Sequence, residues 1–353
     1  MSGRVPPRAV RRLIVDPLWI PIALVLILVL LVVAALADLL APLTPRRRLL
    51  RVALLAVVYL WMDLGLLVRC VLMWLRHPRA GRRDERQWRL AHADLLGRSL
   101  TRLMNAARRL FGYRVERVGR PTDAGPTVPV IVLARHAGPG DSFTLVHLLV
   151  TQYHRSPKVV LKELLQWDPG LDVVLTRLAC HFLPSTTGAG DDRAAALGEL
   201  ATTLDDGDAL LLFPEGGNWT PRRHRRAVLR LLRAGRGRQA RRVQERTHVL
   251  PVRPAGTVAA LSARADTDVV IVAHCGLDTL VNPRQVWRAL PLDGQPMRVR
   301  SWRHPAATVP RDEAGITAWL DERWSDVDEW VHTQRRVDTE HAAPGQTRGS
   351  QLK

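Results

Sequence analysis

A histidine and an aspartate, five positions apart, are the residues of this chain best suited to acid–base chemistry. They belong to the segment RHAGPGD at residues 135–141, in which two glycines and a proline favour a tight loop. Such a loop brings the carboxylate of Asp141 back to the imidazole of His136 and holds one tautomer of the ring. The second ring nitrogen can then take a proton from a hydroxyl group. The pattern predicts a general base that acts directly on a substrate hydroxyl.

A second polar segment follows another apolar run farther along the chain. Residues 213–217 read FPEGG and end a run that begins at Ala209. Both polar segments therefore follow a predicted strand, and active residues collect at the carboxyl ends of strands in α/β sheets. We expect the two segments to meet at one edge of a mostly parallel sheet.

Together the two segments resemble the glycerolipid acyltransferase family, whose members pair an H-x4-D block with an F-P-E-G block about this far downstream. Two further blocks are similar to the family's second and fourth motifs, VVLKELL at 159–165 and VLPVRP at 249–254. The resemblance covers roughly residues 120–275. It implies transfer of a fatty acyl group from a thioester to the hydroxyl of lysophosphatidic acid, another lysophospholipid or a glycolipid. Thr220 and the stretch 251–256 are also similar to the lysocardiolipin acyltransferase-like branch.

The resemblance assigns catalysis to the first block. His136 would be the general base on the acceptor hydroxyl, and Asp141 would orient it. The hydroxyl would attack the thioester carbonyl directly, and the resulting oxyanion needs N–H donors or a cation. Glycines of the two loops, at 138, 140, 216 and 217, are candidates for those donors. The reaction implies no cofactor beyond acyl-CoA or acyl carrier protein as co-substrate, and no metal.

The resemblance assigns substrate binding to the other three blocks. Glu215 and Gly216 would shape the acceptor site, and Arg253 of the fourth block would join them. Lys162 would contact the acceptor's phosphate, a role that suits a compact point charge. These residues lie far apart in the sequence, so they can form one site only if the fold brings them together.

Two departures from the family pattern change the expected contacts. Many members have Asn before the catalytic histidine, where this chain has Arg135. Many also read F-P-E-G-T-R, with the arginine on phosphate, whereas Gly217 and Asn218 occupy those positions here. The arginines at 222, 223, 225 and 226 are candidates for the missing cation, although an arginine-rich helix is usually a solvated or membrane-facing surface.

The elements that must position these residues alternate between short apolar runs and helical stretches. This alternation predicts an α/β domain with a mostly parallel sheet flanked by helices, as in glycerol-3-phosphate acyltransferase-like folds. Strands are predicted at 128–133, 159–161, 181–183, 209–213, 249–252 and 269–273. Helices are predicted at 84–110, 142–153, 170–179, 191–204, 221–246 and 311–332.

Long apolar runs are confined to the first 75 residues and predict a membrane anchor. The run from Pro17 to Pro42 is long enough to cross a bilayer, whereas Arg51, Asp63 and Arg69 interrupt the second run. Arginines flank both runs on every side, so the positive-inside rule selects no two-span topology. A hairpin in one leaflet, or one span with an interfacial helix, fits better than two ordinary spans.

The predicted organisation is an anchor at 1–83, an acyltransferase domain at 84–335 and a disordered tail at 336–353. Three widely spaced cysteines, without metal-ligand spacing, favour a reduced environment. We therefore expect a cell-membrane protein whose catalytic domain faces the cytoplasm. Its partners would be membrane lipids, the lysophospholipid acceptor and the thioester donor.

Two other classes of protein are considered, a nucleic-acid binder and a membrane scaffold without catalytic activity. A formal charge of +19 would suit nucleic acid, anionic lipid or a phosphate-bearing substrate. The basic residues are not interleaved with aromatic residues, which argues against nucleic acid. No P-loop, G-x-S-x-G or H-E-x-x-H motif occurs in the sequence. The remaining non-enzyme alternative is a catalytically silent membrane scaffold that keeps the acyltransferase fold.

Overall fold

A seven-stranded mixed sheet forms the centre of the computed structural model. The structure describes residues 5–40, 47–76, 84–119, 128–138, 140–183, 190–278, 280–292 and 296–342. The strands are β1 (Val115–Arg117), β2 (Val130–Ala134), β3 (Ser156–Lys162), β4 (His181–Leu183), β5 (Asp208–Leu212), β6 (Asp268–Cys275) and β7 (Met297–His304). Their order across the sheet is β1-β7-β6-β2-β5-β3-β4.

The sheet register brings the two sequence motifs to one edge. Strands β2 to β6 run parallel, and β7 pairs antiparallel to β6. In β2 and β5, Leu133 pairs with Leu212, so the chain leaves both strands at the same level. The segments that begin at Arg135 and Phe213 therefore start side by side at the carboxyl edge of the parallel strands. The predicted mostly parallel α/β fold is confirmed.

Helices cover both faces of the sheet because every residue of its central strands β2 and β5 is buried. The helices are α1 (Arg8–Leu39), α2 (Arg48–Arg76), α3 (Glu85–Phe111), α4 (Asp141–Thr151), α5 (Pro169–Arg177), α6 (Gly190–Thr202), α7 (Pro221–Arg233), α8 (Gly237–Glu245), α9 (Pro254–Ala263), α10 (Pro283–Ala289) and α11 (Glu313–Ala342). One core packs Val130 and Val132 against α3, α4 and α5. The other packs Ile131 and Leu133 against α6, α9 and α11.

Two sequence predictions differ from the structure after β5. The helix predicted at 221–246 is divided into α7 and α8, since Gly235 adopts a left-handed φ of 70° between them. The strand predicted at 249–252 is irregular chain. Pro251 and Pro254 remove two backbone donors from this stretch, and the N–H of Leu250 donates to Glu215 rather than to a strand.

Strands β1 and β7 and the C-terminal helix also differ from the sequence predictions. Strands β1 and β7 were not predicted, because β7 alternates arginines with apolar residues and its side chains are mostly half-buried. The last helix continues to Ala342, so the first part of the predicted tail at 336–353 is helical. Residues 343–353 of that tail lie outside the described residues.

The two N-terminal helices are, by length and composition, each able to cross a membrane. Most of α1 is exposed, including Leu28 at 63%. The middle of α2 is different, since Leu66 and Leu67 are buried in the same core as β2. The predicted boundary at residue 83 stays a prediction, and packing across it joins α2 to the α/β domain.

Buried polar contacts fix α1 and α2 on α5. The fully buried carboxylate of Asp63 accepts hydrogen bonds from Trp19 Nε1 at 2.7 Å and from the N–H of Leu171 at 3.1 Å. Arg11 pairs with the buried Asp172 at 2.9 Å. A buried carboxylate without such donors would be costly, so these contacts specify one docked arrangement.

Candidate active site

The predicted contact between His136 and Asp141 is present at the end of β2. Nδ1 of the imidazole lies 2.7 Å from Oδ2 of the carboxylate. Gly140 precedes the aspartate with φ of 77°, a left-handed conformation that turns the chain into α4. The N–H of Ala137 donates to the same Oδ2 at 2.9 Å, and the N–H of Ser142 donates to Oδ1 at 2.6 Å. The loop thus closes around its own carboxylate.

The environment of Asp141 keeps it charged. Burial by itself would raise its pKa, but the hydrogen bond to His136 and the nearby histidines outweigh burial, and the pKa is lowered. A charged carboxylate accepts a hydrogen bond from Nδ1–H, which leaves Nε2 as the unprotonated nitrogen. No residue that the structure describes forms a hydrogen bond with Nε2, and the side chain is 21% exposed. This arrangement is that of a solvent-accessible general base.

The FPEGG loop wraps around His136. The ring of Phe213 packs on the imidazole with centroids 4.4 Å apart, and the N–H of Trp219 donates to the His136 carbonyl at 2.7 Å. Glu215, which is 2% exposed, accepts from the N–H of His136 at 3.2 Å and from the N–H of Leu250 at 2.8 Å. Glu215 therefore links its own loop to the loops at His136 and Leu250, and its buried side chain does not face the surface of the site. Burial raises its pKa to about 7, although the charge of Arg135 and both N–H groups oppose that shift.

Two arginines lie against the glycine pair of this loop. Gly216 has a φ of 68°, and a Cβ on it would lie 3.0 Å from Cδ and 3.1 Å from Nε of Arg253. A Cβ on Gly217 would lie 2.8 Å from Nη1 of Arg223, which donates to the Asn218 carbonyl at 3.0 Å. The exposed Arg253 side chain makes no hydrogen bond or ion pair with the described residues. Glycines at both positions thus allow two guanidinium groups to approach the backbone.

Arg135, the atypical residue before His136, is buried and structural. Its guanidinium donates to the carbonyls of His248 at 2.5 Å and His274 at 2.6 Å, and it pairs with Asp278 at 2.8 Å. Arg335 of α11 lies 2.8 Å from the same carboxylate. Burial would raise the pKa of Asp278, but the two arginines lower it to about 2. The network joins the carboxyl ends of β2 and β6 behind the loop.

Sequence reasoning missed His274, which lies behind Asp141. Its Nε2 is 2.8 Å from the Arg135 carbonyl and 3.6 Å from Oδ2 of Asp141. Burial lowers its pKa to about 4, so the ring is neutral near pH 7 and Nε2–H donates to the carbonyl. A histidine near the end of the apolar run DVVIVAHC was the available signal, since polar residues at strand ends often face a site.

Lys162 lies at the same edge of the sheet, at the end of β3. It pairs in register with Leu183 of β4, and β5 separates β3 from β2. The side chain is exposed and makes no hydrogen bond or ion pair with the residues that the structure describes. The structure therefore brings His136, Asp141, Glu215, Gly216 and Arg253 into one connected group and leaves Lys162 at its periphery.

The loop hydrogen bonds limit the choice of oxyanion donors. The N–H groups of His136 and Ala137 donate to carboxylates, and that of Gly216 donates to the Phe213 carbonyl at 3.0 Å. Gly216 is thereby removed from the expected set. The N–H groups of Gly138, Gly140 and Gly217 donate to none of the described residues, so these three stay candidates.

The comparison with protein families matches the part of the chain that contains these segments. Residues 116–254 match the family model described as Acyltransferase. A comparison with curated proteins gave no match. Among solved structures, the chain is similar to the 1-acyl-sn-glycerophosphate (LPA) acyltransferase PlsC from Thermotoga maritima, at 14% identity and a TM-score of 0.38, over 79% of this chain and 99% of that one. All six predicted site residues lie inside the segment that matches this family model.

Proposed function

We propose that this chain is a membrane-bound O-acyltransferase that moves a fatty acyl group from a thioester to the hydroxyl of lysophosphatidic acid or another lysophospholipid. The donor would be acyl-CoA or acyl carrier protein. The observation that carries the proposal is the 2.7 Å contact between His136 Nδ1 and Asp141, with Nε2 accessible beside the FPEGG loop. That arrangement suits a base for an external hydroxyl, since no side-chain nucleophile is needed.

In the proposed reaction, Nε2 of His136 takes the acceptor's hydroxyl proton while the oxygen attacks the thioester carbonyl. Asp141 stabilises the imidazolium that forms, and its fixed position keeps the ring aimed at the acceptor. The tetrahedral oxyanion would be stabilised by N–H donors, for which Gly138, Gly140 and Gly217 are candidates. When the carbon–sulfur bond breaks, the leaving thiolate receives the proton from Nε2 and the ester is released.

Arg253 and Arg223 would hold the acceptor's phosphate. Both guanidinium groups lie against the Gly216–Gly217 pair, in the loop that contacts His136 through Phe213. Guanidinium groups bind phosphate oxygens through two parallel hydrogen bonds, and helix α7 begins beside them with its positive end. An acceptor such as lysophosphatidic acid has its phosphate a few bonds from its hydroxyl, so its two groups would lie at the FPEGG loop and at His136. Lys162 would act farther along the same edge, on the headgroup or the donor.

The docking of α2 supports a hairpin held in one leaflet at the cell membrane. Asp63, near the middle of α2, is buried against α5 of the α/β domain, so this part of the helix faces protein. A charged domain attached there would have to enter the hydrocarbon if α2 crossed the bilayer, which is costly. Cys70, Cys180 and Cys275 are buried and form no disulfide with one another, which suits a domain that faces the cytoplasm.

Acyl transfer by the purified full chain in detergent tests the proposal. Thiol release from long-chain acyl-CoA and from acyl carrier protein would be followed with lysophosphatidic acid, other lysophospholipids and a glycolipid. We expect transfer by wild type and loss of transfer by His136→Ala, because the base is removed. His181→Ala, an exposed histidine at the start of β4, is the matched control and should keep full activity.

If folded wild-type protein transferred no acyl group with any donor and acceptor, the proposed activity would be rejected. A membrane scaffold with this fold would then be favoured. Transfer that persists in His136→Ala would instead reject the assigned base. Comparing lysophosphatidic acid with a monoacylglycerol of the same chain length would identify whether the acceptor needs its phosphate.

A further inference from the structure

The single-turn helix at Glu163–Trp167, between β3 and α5, reverses the usual pattern of burial. Its large apolar side chains are exposed: Leu164 at 64%, Leu165 at 37% and Trp167 at 46%. Its polar side chains, Glu163 and Gln166, are half-buried. Single exposed apolar residues are ordinary, but a cluster at one turn marks a surface that another phase or molecule covers. We name these five residues the apolar turn.

The apolar turn is attached directly to the anchor helices. Asp168, the next residue, accepts a hydrogen bond from the hydroxyl of Tyr59 in α2. Three residues farther, the N–H of Leu171 donates to Asp63 of α2 at 3.1 Å. The position of the turn is therefore fixed relative to α2, and through it to the exposed apolar surface of α1.

The same contacts connect the turn to the active site. The ring of Tyr59 packs edge-on against Phe143, with centroids 6.5 Å apart. Phe143 lies in α4, two residues after Asp141. Lys162, which precedes the turn, ends β3 at the sheet edge that carries His136. Anchor, turn and catalytic loop thus form one connected side of the molecule.

A lipid surface is the occupant that these observations favour. The turn is tied by Asp168 and Leu171 to α2, which packs against the exposed apolar helix α1. It combines leucines with a tryptophan, whose amphipathic ring suits the boundary between headgroups and acyl chains. The exposed Lys162 beside it can contact anionic headgroups. A soluble partner would have to cover the turn while leaving the adjoining anchor helices in lipid.

We propose that the apolar turn inserts into the same leaflet as the anchor and holds the mouth of the active site at the headgroup level. The inference rests on the membrane association proposed above. A lysophospholipid in that leaflet then reaches His136 with its acyl chain still in the lipid, because the turn and the catalytic loop share one edge. Leu164, Leu165 and Trp167 are the inserting side chains.

Depth-dependent fluorescence quenching in vesicles tests the insertion. Leu164→Cys and Trp167→Cys would each be labelled with an environment-sensitive probe in the full chain, reconstituted into phosphatidylcholine and phosphatidylglycerol vesicles. The native cysteines are buried, which favours selective labelling. Leu28→Cys on α1 reports whether the anchor is in lipid. Val128→Cys is the matched control, since it is 40% exposed and precedes β2 at the opposite edge of the sheet.

We expect a blue shift at positions 164 and 167, and loss of emission when the vesicles contain lipids brominated near the top of their acyl chains. The Val128 probe should show neither effect. Quenching at Leu28 without quenching at 164 and 167 would overturn the insertion while leaving the anchor intact. No quenching at any position would reject the membrane association itself. A blue shift at 164 and 167 without lipid quenching would indicate burial against protein and would also overturn the proposal.

Discussion

The imidazole of His136 packs on the ring of Phe213 at 4.4 Å, so the first motif rests on the residue that opens the second. Glu215 and Trp219 add hydrogen bonds to the backbone of the same histidine. His136 is therefore held from both loops, and a change in either loop should alter its geometry.

Asp141→Asn should abolish most activity while preserving the fold. The amide can present its NH2 group to Nδ1, which would place the ring proton on Nε2 and remove the lone pair that takes the acceptor's proton. We expect kcat to fall about 10²- to 10⁴-fold, the range for loss of general-base catalysis. Initial rates with varied acceptor would measure it, with the exposed Asp206→Asn as control. An unchanged kcat would reject the orienting role.

Arg253→Ala and Arg223→Ala should weaken binding of phosphate-bearing acceptors. Each removes a charge-assisted contact of about 1.5–3 kcal/mol, so kcat/KM for lysophosphatidic acid should fall roughly 10- to 100-fold. The value for monoacylglycerol should change little, because that acceptor has no phosphate. Arg230→Ala, an exposed arginine later on α7, is the matched control. Equal losses with both acceptors would count against a phosphate contact.

Gly138→Ala should be far more damaging than Gly140→Ala. Both glycines have left-handed φ angles, 95° and 77°, which cost alanine about 1–2 kcal/mol. A Cβ at Gly138 would also lie 2.9 Å from the Leu277 carbonyl oxygen, whereas nothing lies within 4 Å of one at Gly140. Denaturant unfolding of both variants should show the larger loss for Gly138. Equal losses would mean that the Leu277 backbone moves freely.

Asp278→Asn should destabilise the fold strongly, because it leaves the buried Arg135 without its counter-charge. Loss of one partner from a buried pair costs about 3–5 kcal/mol. The exposed pair Asp94–Arg98 supplies the control, since Asp94→Asn should cost no more than about 1 kcal/mol. The double variant Arg135→Met with Asp278→Asn should lose less than the two single losses combined. Additive losses would reject the pairing.

Acidification should destabilise the protein through His274. Its pKa in the folded state is lowered to about 4 from an ordinary value near 6.5, so the unfolded chain binds the proton more readily. The stabilisation is present above about pH 6.5 and is lost as pH falls toward 4, by up to roughly 3 kcal/mol. Comparing unfolding midpoints of wild type and His274→Gln across that range measures it. If acidification destabilised wild type no more than His274→Gln, His274 would not be the group responsible.

Much of the fold followed from local patterns. The apolar runs of β2, β5 and β6 were long enough to predict, because buried parallel strands read as continuous apolar stretches. Strand β7 was missed because its arginines break that pattern, and the segment at 249–252 was predicted as a strand from its composition although it has no strand partner. Pairing depends on where neighbouring strands end, which composition does not record.

The sequence alone predicted the contact between His136 and Asp141, since their types and spacing are local and a short glycine-rich loop can bring them together. The tertiary structure decided the surroundings of that pair. Arg253 meets Gly216 from 37 positions away, and Asp63 meets Leu171 from 108 positions away. Such contacts arise where separate elements pack at one sheet edge, and their geometry depends on the whole core.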